Sequence, residues 1–146
     1  LYRAMHRAGL ANQPTSVSVD DGLRLRGAWV TAAVRCAPPD NKPLPDERTQ
    51  CRPFLQRELA LLSALRVVVC LGAFAYEAAC GELGVSPRPR FGHGVEVQAS
   101  AGLTLVCSYH PSQQNTFTGR LTEQMLDDVV GRAGALAGLK TRKRQA

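Results

Sequence analysis

Apolar positions recur along this chain in two rhythms. Short unbroken runs, Val67-Val68-Val69-Cys70-Leu71 and Leu103 to Cys107, predict buried strands, the first closed by Gly72 in the manner of a central parallel strand. Spaced apolar positions predict helices. Leu1, Met5 and Ala8 share one helical face, with Arg3, His6 and Arg7 off it and Gly9 as a stop. Leu55, Leu59 and Leu62 do the same within a helix over 46–65, which Pro45 opens and Asp46 and Glu47 favour in its first turn. Pro53 conflicts with that helix, since an interior proline removes a hydrogen bond at about 3 kcal/mol. A break into two pieces near Cys51 is therefore expected. Residues 73–83 and 121–139 are also helical in pattern, the β-branched stretch 23–34 around Trp29 predicts a strand ending near Arg35, and Val95-Glu96-Val97 predicts another. Helix, strand, helix, strand, helix, strand pair and helix in succession predict an α/β fold: three layers, α/β/α, with a mostly parallel central sheet.

The polar stretches between these elements fall at strand ends, which is where open α/β sheets bind ligands. The richest is 109–121, where His110 leaves a strand, Pro111 prevents the ladder from continuing, and Ser112, Gln113, Gln114, Asn115, Phe117 and Arg120 follow. Small polar donors of this kind suit a phosphate or a base edge. An ordinary solvated loop would have the same composition. A second loop, 35–45, is stiffened by four prolines, and a third, 86–94, is basic and rich in Pro and Gly, with Arg88 and Arg90. These loops could meet on one edge of the sheet.

With 146 residues, 45% of them hydrophobic, the chain can bury one core, and it is read as a single domain over 1–139 with a basic tail over 140–146. No apolar run is long enough to span a bilayer, so no membrane partner is expected. A net charge of +6 and a pI near 9.4 favour a polyanionic partner. Five cysteines, an odd number in spacings that fit no small secreted framework, favour a reducing, cytoplasmic setting. Cys70 reads as core. Cys36 and Cys51 read as half a zinc site or as two buried thiols, and their spacing does not decide between them.

The string His110-Pro111-Ser112-Gln113-Gln114-Asn115-Thr116-Phe117-Thr118-Gly119-Arg120-Leu121-Thr122 closely resembles the second conserved motif of family 5 (type B) uracil-DNA glycosylases. Residues 35–43 followed by Cys51-Arg52-Pro53-Phe54-Leu55 resemble that family's cluster-binding region, and 12–16 and 87–94 are similar to it as well. The resemblance covers essentially the whole chain. The family's first motif, a Gly-Leu-Ala-Pro type loop followed by a Phe-Thr-Gly-Asp segment, normally lies just before the helix that opens at Leu1. It is absent, so a partial domain without its N-terminal strand is expected.

The resemblance implies hydrolysis of the bond between uracil, or another deaminated base, and deoxyribose in base excision repair, with no covalent enzyme intermediate. It implies uracil-containing DNA as partner and a monomer. His110 would donate to the departing base and Asn41 would recognise uracil. Ser112, Gln113, Gln114, Asn115 and Phe117 would enter or line the groove, with Arg120, Arg88 and Arg90 at phosphates. Cys36 and Cys51 would supply two of the four ligands of a structural [4Fe-4S] cluster. The Asp, the stacking aromatic and the other two cysteines of the family would lie outside this chain, so a non-catalytic DNA-binding fragment is the alternative.

Overall fold

The computed structural model describes residues 1–36 and 43–140. They divide into two compact units, one formed by Leu1–Trp29 together with the chain from Arg66 on, the other by Val30–Leu65. In chain order the elements are α1 (Tyr2–Arg7), α2 (Pro45–Leu61), β1 (Val67–Leu71), α3 (Ala73–Glu82), β2 (Glu96–Gln98), β3 (Thr104–Ser108), α4 (Gln113–Phe117) and α5 (Glu123–Leu136). All but α2 belong to the first unit.

The sheet runs β1-β3-β2. Strand β3 is central because every one of its residues is buried, as its unbroken apolar run predicts. It pairs parallel with β1, from Val67 opposite Thr104 to Leu71 opposite Ser108, and antiparallel with β2, with Glu96 opposite Val106. Side chains alternate across it. Leu105 and Cys107 join Cys70, Val97 and the α3 residues Tyr76, Ala79 and Cys80 in one core cluster. On the other face α5 packs against β1 and β3, and its Leu126 and Val130 join Ala4, Met5 and Ala8 of α1 in a second cluster. Helices on both faces of a sheet make the three layers expected of this α/β fold.

Two local expectations fail. The stretch 23–34 forms no strand; it contributes one isolated bridge, Leu25 to Ala11. Its apolar residues serve packing instead of a ladder, since Leu23, Leu25 and Ala28 lie against the α1/α5 cluster, Gly27 turns the chain at φ +65°, and Trp29 is 62% exposed. Helix α2 is not broken at Pro53 but runs unbroken through it. Both Pro53 and Thr49, whose carbonyl loses its N–H donor, are exposed, so water can take the missing bond. The tail beyond Lys140 and residues 37–42, with two of the four prolines of the second loop and Asn41, lie outside the described residues.

Candidate functional site

Strand β3 delivers its carboxyl end into the loop that carries His110. Ser108, the last strand residue, is completely buried, and its carbonyl accepts the Gly72 N–H at 2.8 Å. His110 is exposed two residues on. Beneath it lies Gly72, the residue that turns β1 into α3; a Cβ there would stand 3.2 Å from the Cβ of His110. Gly72 has φ +95° and ψ 162°, a region that side chains other than glycine essentially do not adopt. The strand-closing glycine of the sequence pattern is thus also the floor under the candidate donor.

Beyond His110 the loop is ordered by its own hydrogen bonds. The His110 carbonyl accepts from Ser112 N–H at 2.8 Å and from the Asn115 side-chain amide at 2.9 Å. Ser112 caps α4, its Oγ accepting the Asn115 N–H at 3.3 Å and its carbonyl accepting the Thr116 hydroxyl at 2.8 Å. The Asn115 carbonyl takes the N–H of buried Leu121 at 3.0 Å, which returns the chain to the core. The polar stretch that reads as loop therefore contains a short capped helix. Gln113 and Gln114 are exposed on it, and Phe117, 84% exposed, is a large apolar side chain held in solvent.

Tyr109 is the hub that joins this loop to 86–94. Its N–H donates to His93 Nδ1 at 3.2 Å, and its ring lies 5.2 Å from that of His93 and 6.3 Å from that of Phe91. The Arg120 guanidinium sits 4.8 Å from the centre of the same ring, in the range of cation–π attraction. Phe91 continues to Tyr76 at 5.8 Å, and the Tyr76 hydroxyl donates to the Pro89 carbonyl at 2.9 Å. Burial, then the neighbouring Cys80, pushes the Tyr76 hydroxyl up to about 12, so it stays a donor. Arg88 and Arg90 are exposed on the loop pinned in this way. The first unit thus brings together His110, Ser112 to Arg120, and the loop of Arg88 and Arg90. Sequence reasoning saw Gly72 only as the end of a strand and Tyr109 only as the start of a polar stretch, and it gave His93 no role although 87–94 stood out; the arginines there drew the reading and the histidine did not.

In the second unit the Cys36 and Cys51 thiols lie close enough to influence one another, and Cys51 Sγ accepts the Arg35 N–H at 3.4 Å. Local desolvation first, and then the Glu47 carboxylate and Cys51, hold the Cys36 thiol above its ordinary value. Arg35 also pairs with Glu58 at 2.6 Å and lies over the Phe54 ring. Among the described residues no group of three or more His, Cys, Asp or Glu side chains is placed to hold a metal ion. Burial raises Cys70 to about 12 and Cys107 to about 11, which keeps these core thiols protonated. No helix among the described residues is long and apolar enough to cross a membrane.

Fold and site together define a three-layer α/β protein with its candidate ligand loop at the carboxyl end of the central strand. The chain belongs to the Uracil DNA glycosylase superfamily, whose sequence model matches residues 1–132. It is 53% identical over 143 residues to a type-5 uracil-DNA glycosylase of Mycobacterium bovis, an alignment covering 96% of this chain and 53% of that protein. It is 50% identical to the type-5 enzyme of Mycobacterium leprae (95% and 62% covered) and 48% identical to that of Thermus thermophilus (95% and 64%). The chain therefore spans about half to two-thirds of the length of these curated relatives.

Proposed function

We propose that this chain carries the base-expelling loop of a DNA glycosylase that hydrolyses the N-glycosidic bond of uracil, or of another deaminated base, in base excision repair. The observation that carries the reading is His110, exposed at the carboxyl end of β3 and held against Gly72, in a family whose members at about half identity are named type-5 uracil-DNA glycosylases. A base stacked in a duplex is out of reach, so the nucleotide is flipped out at about a few kcal/mol. Bond breaking then places negative charge on the departing base and positive charge on the sugar. A donor fixed at the base O2 stabilises that charge more than the neutral ground state, and this is the role proposed for His110. Asn41 would present an amide donor and acceptor to O4 and N3–H of uracil. Phe117, with Gln113 and Gln114 beside it, is the candidate to hold the gap, because its apolar ring is already in solvent. Asn115 is proposed to shape the loop through its bond to His110, and Arg120, Arg88 and Arg90 to meet phosphates.

Cys36 and Cys51, two adjacent thiols with a backbone N–H on one sulfur, fit as two of the four thiolates of a [4Fe-4S] cluster; the described residues do not complete the set. When bound, such a cluster would tie segments together, and the hydrolysis needs no electron transfer. The partner is uracil-containing DNA, the protein a cytoplasmic monomer. The alternative, a domain that binds DNA without cleaving it, is separated by one experiment on the protein as the cell makes it. Free uracil released from a uracil-containing duplex, by a preparation that contains iron and loses it in Cys51→Ser, is the expected result. Salt-dependent binding without release contradicts the glycosylase reading, and iron retained in full by Cys51→Ser contradicts the ligand assignment.

A further inference from the structure

We propose that His93 is a positioning residue for His110 and that it acts through the backbone N–H of Tyr109; this rests on the uracil-excision reading above. Strand β3 exchanges antiparallel hydrogen bonds with the β2 side past the end of β2: Cys107 N–H donates to Val95 O at 2.9 Å, and Gly94 N–H donates to Cys107 O at 2.8 Å. The next N–H on that side, two residues along, belongs to Tyr109. In an uninterrupted ladder a backbone carbonyl would receive it. Here the acceptor is a side chain, His93 Nδ1 at 3.2 Å.

The donor is a backbone N–H, so Nδ1 must carry the lone pair and the ring hydrogen sits on Nε2. Ser108 Oγ lies 3.5 Å from the same nitrogen, but its hydroxyl donates to the Tyr109 carbonyl at 2.9 Å, which leaves Nδ1 to the amide. The rings of His93 and Tyr109, 5.2 Å apart at 36°, keep the pair in register. His93 therefore replaces one rung of sheet at the last residue before His110. This sets the direction in which the chain leaves the sheet, while Gly72 limits how far His110 can sink. A misplacement of about 1 Å at a reacting group can cost about 100-fold in rate, so a rung adjacent to the donor should act on turnover more than on DNA binding.

The test uses the protein as the cell makes it, comparing His93→Phe, His93→Asn and His93→Gln with the wild type. Phe keeps a ring against Tyr109 and has no acceptor; Asn places Oδ1 close to where Nδ1 sits; Gln carries its oxygen one bond too far out. Two quantities are read: hydrogen exchange of the Tyr109 amide, and single-turnover uracil release alongside duplex Kd. Phe and Gln are expected to speed Tyr109 exchange and slow release by about 10- to 100-fold, with Kd within about threefold, and Asn to restore both. If Phe does not fold, the contrast between Asn and Gln still decides. Release at the wild-type rate in Phe or Gln, or an Asn variant as slow as they are, overturns the proposal. Unchanged Tyr109 exchange in Phe overturns the hydrogen-bond assignment whatever the activity. A wild type that releases no uracil, with Tyr109 exchange still dependent on residue 93, locates the failure in the excision reading.

Discussion

Gly72 and His110 touch because a parallel strand and its neighbour end at the same height, with Leu71 opposite Ser108. Alanine at position 72 would meet two penalties at once: a φ of +95° that disfavours any Cβ, and a Cβ 3.2 Å from that of His110, close enough to displace it by a few tenths of an ångström. Gly72→Ala should therefore lose about 1–3 kcal/mol in chemical denaturation, the usual range for a residue held in a sparsely populated backbone region. It should also slow uracil release more than it weakens DNA binding, and an unaltered release rate would show that His110 does not depend on this floor. The sequence made His110 visible, since a histidine followed by proline at a strand exit is a local signal. It hid Gly72 and His93 because their importance lies in contacts with residues far along the chain. Asn115 reads in the sequence only as a polar residue of a polar loop; that its amide donates to the His110 carbonyl and its carbonyl accepts from Leu121 is legible only in the structure.

At the scale of elements, the edge strand β2 is fastened to α5 by a bidentate pair in which Arg132 Nε and a terminal guanidinium nitrogen donate to Glu96 at 2.6 and 3.0 Å. The Arg132 hydrogen bonds, against an opposing desolvation, hold the Glu96 carboxyl below its ordinary 4.5. A carboxylate with a depressed folded-state pKa stabilises above its unfolded value and ceases to do so as pH falls through the folded one. The pair's contribution is thus complete above pH 4.5 and declines below it. The melting midpoint of Glu96→Gln should lie below that of the wild type at neutral pH, and the gap should narrow as pH falls below 4.5; a gap independent of pH would assign the difference to packing. Element patterns were legible where burial is one-sided and continuous. The runs of β1 and β3 and the apolar spacing of α5 all read through. The stretch 23–34 has the composition of a strand, but its leucines pack onto α1 and α5, a choice that tertiary contacts make. Helix α2 outran its proline because exposed backbone tolerates the loss of one hydrogen bond.

At the scale of the molecule, the alternation of helix and strand was enough for the α/β class and its layers, because one sheet with both faces apolar must be covered on both. The motif at 110–122 carried the family, to which the chain belongs. Unequal visibility remains between the two units. His110 and its supports lie in the first, Cys36 and Cys51 in the second, and Asn41 outside the described residues. The central claim is that the His110 loop stabilises the departing base and is more than a DNA-binding edge. The most direct measurement is single-turnover release of uracil by His110→Ala beside its affinity for a duplex containing a non-cleavable uracil analogue. Loss of one preorganised donor predicts a rate lower by about 100- to 1,000-fold, or about 2.7 to 4 kcal/mol in the barrier, with Kd within a few-fold of the wild type. Equal losses in rate and affinity would contradict the claim.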